Sequence, residues 1–318
     1  MSHFTLTKTS LFVSTLYLGL MGSVFAAESV DKQLPMNSDT LLQIKVQRGE
    51  VQIQSWDKNE VSVTGTLDEL SEGFVFEQKG NNLTIEDKMP RHYNGSDNNG
   101  SKLTIKVPKS VKLSADTISA NLQISQTQGE LELNTVSGNI TAEALDGTPT
   151  LHTVSGDIAT KGLAGKVMLD TVSGEIKDTQ SKGEIKYRLV SGDLNSQTLA
   201  DKVKVEQVSG EIKADFNSAK EVNVRTVSGD TQVSLAKSFD KANLESVSGD
   251  IIVTFADTPD ANFELNGGPG GKIKNGLSQD APQRQKYVPN ESLSFQTGSG
   301  SASVKMDTIS GNLILKKQ

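Results

Sequence analysis

One six-residue phrase, Thr-Val-Ser-Gly-Asp/Glu-Ile, recurs from the middle of the 318-residue chain to its end. The sequence separation is 18 from Ser137 to Ser155 and again from Ser155 to Ser173, and later separations lengthen to 19 and 20. A fixed short period indicates one supersecondary unit stacked many times. We interpret the Ser-Gly pairs as structural turns, one at a corner of every unit. They are Ser137 and Gly138, Ser155 and Gly156, Ser173 and Gly174, Ser191 and Gly192, Ser209 and Gly210, Ser228 and Gly229, Ser248 and Gly249, and Ser310 and Gly311.

Aliphatic residues recur at fixed positions around each serine, at −6, −4, −1 and +3. In one repeat these are Val167, Leu169, Val172 and Ile176. We expect all four to face inward, with a bend between −4 and −1. The pattern predicts an all-β fold, a single-stranded parallel β-solenoid of about 18 residues per coil.

A right-handed β-helix is favoured, because parallel crossovers are right-handed in about 98% of cases. A left-handed hexapeptide solenoid has a coil of the same length. It would show an aliphatic-Gly hexapeptide three times per coil, and this chain does not.

The chain divides into three parts on these patterns. Residues 1–26 have the layout of a secretory signal peptide, with one charged residue, an apolar run and a small-residue exit, and cleavage is expected after Ala26. Residues 27–110 form N-terminal strands and the first irregular coils. Residues 111–318 form the regular solenoid, with a loop excursion near 256–300 where the period fails.

Composition limits the classes of partner. Without the signal, which contains Lys8 and no acid, 31 basic residues face 39 acidic ones, a net charge of −8. The balance argues against nucleic acid, and no stretch after the signal is apolar enough to span a membrane. There is no cysteine, which excludes disulfides and a lipoprotein anchor. A single tryptophan, Trp56, counts against a sugar-binding groove lined with aromatic residues.

The position after each Ser-Gly pair is acidic or an amide. Stacking would place neighbouring carboxylates about 5 Å apart, near the spacing of a retaining glycosidase pair, and could offer oxygens to calcium. The preferred interpretation is a turn residue, with glycine at positive φ, because an active site is built once and this feature repeats in every coil. The column comprises Asn139, Asp157, Glu175, Asp193, Glu211, Asp230, Asp250 and Asn312.

Threonine and histidine are two further candidates for chemistry. A threonine column predicts an exposed hydroxyl ladder on a solvated face; it comprises Thr135, Thr153, Thr171, Thr226 and Thr308. His92 and His152 have neither cysteines nor clustered histidines as partners, which gives a metal site or a nucleophilic triad little support. We therefore predict no catalytic, cofactor-binding or metal-binding residues.

The strand Leu103-Thr104-Ile105-Lys106-Val107-Pro108, followed by the Thr-Val-Ser-Gly-Asp-Ile repeats, resembles the bacterial putative-adhesin β-strand-repeat family. The resemblance covers nearly the whole chain from Thr40 and implies a β-helix of the cell envelope with an adhesive role. It supplies no catalytic residues.

Two functional hypotheses follow. The first is an exported, non-enzymatic, adhesin-like or scaffolding module of the periplasm or cell surface, whose partner is an unidentified envelope or surface polymer or protein. The alternative is a polysaccharide-active lyase or hydrolase, because β-helices often carry such enzymes.

Overall fold

The computed structural model describes residues 28–92, 100–284 and 290–318. The predicted signal peptide, residues 1–26, lies outside the described residues. Every regular element in the described ranges is a β-strand. The described residues contain no helix that is long and apolar enough to cross a membrane.

The N-terminal part contains seven strands, of which β2 forms the first full rung of the stack. They are β1 (Ser29–Pro35), β2 (Leu41–Trp56), β3 (Glu60–Thr66), β4 (Gly73–Lys79), β5 (Asn82–Lys88), β6 (Ser101–Pro108) and β7 (Ser110–Ser125). On one side, β2 pairs in parallel with β5 and then β6; on the other, it pairs with β7. Antiparallel strands finish this end, since β3 pairs with β1 and β6, and β4 pairs with β5.

Seven regular rungs follow, each made of a longer and a shorter strand. They are β8 (Gln128–Thr135) with β9 (Ile140–Glu143), β10 (Asp146–Thr153) with β11 (Ile158–Lys161), β12 (Ala164–Thr171) with β13 (Ile176–Thr179), β14 (Glu184–Ser191) with β15 (Leu194–Gln197), β16 (Lys202–Ser209) with β17 (Ile212–Asp215), β18 (Glu221–Ser228) with β19 (Thr231–Leu235), and β20 (Lys241–Ser248) with β21 (Ile251–Phe255). Each strand pairs in parallel with the equivalent strand of the next rung. Leu151 of β10, for example, lies opposite Leu169 of β12. The predicted β-solenoid and its coil length are confirmed; its handedness stays a prediction.

The core runs along the axis of the stack as columns of buried side chains. Positions −6, −4 and +3 lie inside in successive rungs, for example Val203, Val205 and Ile212, all at most 3% exposed. Each fully buried aliphatic contributes about 1.5–3 kcal/mol. One coil buries too few of them to offset the entropy of ordering its own chain, so neighbouring rungs stabilise one another.

The later coils are longer and their core is aromatic. Where the period lengthens, Phe216, Phe239 and Phe255 enter the core. Phe239 stacks on Phe255 with ring centroids 6.0 Å apart, and Phe263 stacks on Phe295 at 4.5 Å. The larger rings fill the wider cross-section that the extra residues create.

At the C-terminal end, the order of rungs departs from the order of the sequence. The strands are β22 (Ala261–Asn266), β23 (Lys272–Asn275), β24 (Gln283–Arg284), β25 (Glu291–Gln296), β26 (Ala302–Ser310) and β27 (Asn312–Lys317). β26 lies between β20 and β22, and β27 lies between β21 and β23. β25 then pairs antiparallel with both β22 and β24. Residues 256–300, where the period fails, thus supply a rung and a hairpin. The final strand, β27, therefore lies inside the stack.

Candidate functional surface

The Ser-Gly corners lie directly above one another. Ser191 is in register with Ser209, Ser209 with Ser228, and Ser228 with Ser248. Each glycine lies against the backbone of the rung before it. A Cβ on Gly174 would lie 1.8 Å from the carbonyl oxygen of Gly156. Only glycine allows this approach, since ordinary contacts begin at 3.4 Å.

Two backbone conformations are used at these corners. Gly210, Gly229, Gly249 and Gly311 have φ between 116° and 139°, as expected for turn glycines. The expectation of positive φ is wrong for the earlier pairs, which use a different turn, and the affected glycines are Gly138, Gly156, Gly174 and Gly192. What all eight share is the tight contact with the rung before.

A threonine side chain holds the earlier corner. The backbone N–H of Gly174 donates to Thr171 Oγ1 at 3.0 Å, and Gly138 and Gly156 donate in the same way to the threonines three residues before them. Leu189 occupies the threonine position of the next rung and has no hydroxyl, and β14 continues through Ser191 instead. Thr226 and Thr308 precede Gly229 and Gly311, whose φ is positive, so these corners have the second form, with positive φ, although a threonine is present.

The threonine column faces the interior, which corrects the predicted exposed hydroxyl ladder. Its members are at most 5% exposed: Thr135, Thr153, Thr171, Thr226 and Thr308. Alternation continues unbroken from −6 through −4 to −2, so threonine at −2 points inward and valine at −1 points outward. The predicted inward position of −1, and the bend before it, are therefore wrong.

This inversion creates a column of aliphatic side chains on the outer surface. We call it the aliphatic column: Ile118, Val136, Val154, Val172, Val190, Val208, Val227, Val247 and Ile309. Val154 and Val172 are half-buried, and the other seven are between 42% and 57% exposed. At about 4.8 Å per rung the column extends for about 38 Å. An exposed apolar run of this length marks a contact surface more often than scattered single residues do.

A charged column at position −3 runs beside the aliphatic column and is cross-linked between rungs. Asp170 Oδ2 lies 3.7 Å from His152 Nδ1 and 3.5 Å from Arg188 Nη1. Lys204 and Lys186 approach the Glu206 carboxylate at 2.7 and 2.9 Å, and they lower the pKa of Glu206 to about 2. These charges satisfy one another, which leaves the aliphatic column as the chemically distinctive part of the face.

On its other side, beyond the Ser-Gly corner, lies the acidic column. Its side-chain oxygens accept backbone N–H groups from the next rung: Asp157 Oδ1 accepts from Glu175 at 2.9 Å, and Asp193 Oδ1 accepts from Glu211 at 2.8 Å. Asp230 and Asp250 are bonded in the same way. The predominance of Asp and Asn follows from this bond, which needs a short side chain. Among the described residues, no three His, Asp or Glu side chains are grouped so that they could hold a metal ion.

A buried polar network inside the stack was not foreseen from the sequence. Asp178 is fully buried and accepts hydrogen bonds from Thr160 at 2.6 Å, Ser181 at 2.5 Å and Tyr187 at 2.7 Å. Burial, together with the Asp178 carboxylate, raises the pKa of Tyr187 well above its ordinary value. The network is closed to solvent, so it satisfies the core rather than meeting a substrate. The sequence signal that could have revealed this network is Asp178, a polar residue at a position where the strand points its side chain inward.

Residues 40–316 match the model of the Toastrack DUF4097 family. The chain belongs to this family. The resemblance to the putative-adhesin repeat family is thereby confirmed. No curated protein matches the Toastrack chain.

Several solved structures resemble the Toastrack chain. A "putative adhesin" from Parabacteroides distasonis is 15% identical, with a TM-score of 0.40, and the match covers 88% of this chain and 97% of that one. A "putative lipid binding protein" from the same species is 14% identical, with a TM-score of 0.41 and coverage of 90% and 96%. A "putative adhesin" from Parabacteroides merdae is 12% identical, with a TM-score of 0.35 and coverage of 88% and 96%.

Proposed function

We propose that the protein is an exported, non-enzymatic, adhesin-like or scaffolding module of the cell envelope, and that it makes contact through the aliphatic column. The column carries the proposal. It presents one aliphatic side chain per rung along about 38 Å of a rigid sheet, whereas a monomeric protein usually scatters its exposed aliphatics.

A repeated surface suits adhesion to an extended partner better than it suits catalysis. Catalysis needs groups with different environments and different pKa values at one place. The carboxylates of the acidic column instead share one structural role: Asp157 and Asp193 each accept a hydrogen bond from a backbone N–H of the next rung. The enzyme alternative is tested by a glycan-depolymerisation screen. Activity abolished by Asp193→Asn but not by Asp157→Asn would favour it.

The adhesive surface is tested with the triple variant Val190→Thr, Val208→Thr and Val227→Thr. Each change keeps the side-chain shape and β-propensity and replaces one exposed methyl by a hydroxyl. At about 0.8 kcal/mol per methyl-sized group, three changes cost about 2.4 kcal/mol of contact energy, so we expect at least tenfold weaker binding.

The measurement is co-sedimentation of purified residues 27–318 with envelopes isolated from the producing cells. The matched control is Ser191→Thr, Ser209→Thr and Ser228→Thr, which places the same residue in the same three rungs but leaves the aliphatic column intact. We expect the control to bind like the wild type. Equal binding by both triple variants would refute the column as the contact surface. Cell fractionation tests export separately, and a cytoplasmic location of the full-length chain would contradict it.

A further inference from the structure

A cleft of about 780 Å³ lies at the N-terminal end of the stack, away from the middle rungs of the aliphatic column. Three chain segments form it: residues 35–38 after β1, residues 56–59 after β2, and residues 108–110 between β6 and β7. Its size falls within the range of about 300–1,000 Å³ that is usual for small-molecule sites.

Trp56, the only tryptophan of the chain, lines this cleft. Its indole Nε1–H donates to the backbone oxygen of Glu60 at 2.7 Å, which fixes the ring. The side chain is only half-buried, so part of the ring remains accessible to a ligand. Met36 and Pro108 are buried in the wall and add apolar surface, while the exposed Asn37 and Asn59 add side-chain amides.

Two lysine ammonium groups lie over the indole ring. Lys58 Nζ is 4.8 Å and Lys106 Nζ is 5.8 Å from the centroid of the ring, within cation–π distance. In the part of the chain that the structure describes, neither ammonium has a carboxylate at ion-pair distance. By contrast, Lys109 is paired with Asp57 at 2.7 Å.

The charge of the cleft is therefore opposite to that of the whole protein. The residues that line the cleft include Lys58 and Lys109 against Asp57, one net positive charge, in a chain whose net charge is −7. Lys106, which is outside the lining but lies over the indole, adds a second positive charge next to Trp56. An anion placed near Trp56 would meet both unpaired ammonium groups. A bare inorganic ion would make no use of the indole face, and a purely apolar ligand would make no use of the lysines.

We propose that this cleft binds an acidic saccharide, with a sugar ring packed on the Trp56 indole and its carboxylate held by Lys58 and Lys106. The C–H face of a pyranose ring is apolar and suits an aromatic platform, while its hydroxyls can bond to the side-chain amides of Asn37 and Asn59. The site is separate from the aliphatic column, so either assignment can fail without the other. The scarcity of aromatic residues in the whole chain argued against sugar binding, but it does not count against a site that needs only one aromatic ring.

Trp56 itself reports on the site, because the emission of the protein comes from a single indole. The experiment titrates residues 27–318 with tetragalacturonic acid and follows tryptophan fluorescence, with isothermal titration calorimetry alongside. Galactotetraose, which lacks the carboxylates, is the neutral comparison, and sodium sulfate at equal ionic strength is the comparison for a bare anion. We expect a saturable fluorescence change with tetragalacturonic acid, at least tenfold weaker binding of the neutral sugar, and no change with sulfate.

The variant Lys58→Gln with Lys106→Gln removes both charges from exposed side chains and should weaken binding of tetragalacturonic acid at least tenfold. Lys177→Gln, an exposed lysine on β13 distant in sequence from the cleft, is the matched control and should bind like the wild type. Absence of saturable binding to tetragalacturonic acid overturns the proposal. So does an equal response to the neutral sugar or to sulfate, since the first removes the need for the lysines and the second removes the need for the sugar ring.

Discussion

Substituting Gly174 by alanine tests the stacking of the corners directly. The added Cβ would lie 1.8 Å from the carbonyl oxygen of Gly156 and 2.6 Å from its carbonyl carbon. The shortfall from an ordinary contact of 3.4 Å is 1.6 Å, about a third of the spacing between rungs. Both contact atoms belong to the backbone, so no side-chain rotation can relieve the clash.

The cost can be worked from the hydrogen bonds that a local separation of the rungs would break. Val172 N–H donates to the Thr153 oxygen at 3.3 Å, Ser173 N–H to the Val154 oxygen at 2.9 Å, and Glu175 N–H to Asp157 Oδ1 at 2.9 Å. Each contributes about 1 kcal/mol net, and overpacking adds about 1–3 kcal/mol. We therefore expect Gly174→Ala to lower the free energy of unfolding by about 4–6 kcal/mol.

Gly162→Ala is the matched control, one coil away. Gly162 has φ 65°, and a Cβ there would have nothing within 4 Å. Its cost is the left-handed backbone alone, about 1–2 kcal/mol, partly offset by the lower entropy of the unfolded chain. The assay is urea unfolding followed by far-ultraviolet circular dichroism, with both variants compared with the wild type. If Gly174→Ala costs no more than Gly162→Ala, the corners are not stacked as described.

Two further changes test the interior. Thr171→Val removes the acceptor of the Gly174 N–H and should lower the free energy of unfolding, measured in urea, by about 1–3 kcal/mol. Thr226→Val, at a corner of the second form, should lower it less. Equal losses in the two variants would contradict the existence of two corner types. Tyr187 holds its proton more tightly in the folded than in the unfolded state, so stability should fall as the pH rises above about 10. A spectrophotometric phenol titration should show a component that appears only on unfolding and is missing in Tyr187→Phe. A Tyr187 that titrates reversibly near pH 10 in the folded protein would refute the influence of burial and Asp178.

The periodic part of the fold could be predicted because each rung repeats the same physical problem. Spacing alone indicated the length of each coil and which corners would be in register. The face of position −1 could not be assigned correctly from residue type, because valine there resembles a core residue and Thr171 resembles a surface residue. The strand alternation from Val167 through Leu169 to Thr171 predicts the observed faces, whereas the apolar side chain of Val172 favours the opposite assignment.

The remaining differences arise from contacts between distant parts of the chain. Nothing in the local pattern shows that Trp56 would meet Lys106, fifty residues later, because that contact depends on which strands pair at the irregular end of the stack. The polar network around Asp178 likewise depends on Thr160 and Tyr187 from neighbouring rungs. Sequence periodicity predicts neighbours one coil apart and loses this power where the coils become irregular.

The interleaved ends have a consequence for the order in which the protein can acquire its structure. A chain that emerges from its N-terminus first would display β20 and β21 with an open edge until β26 and β27, the last strands in sequence, arrive to fill the gap. Completion of the stack therefore waits for the final segment, which lies between the rung of β20 and β21 and the rung of β22 and β23. Antiparallel strands cover part of each end, β25 against β22 and β4 against β5, and interrupt the parallel order that a second molecule could extend.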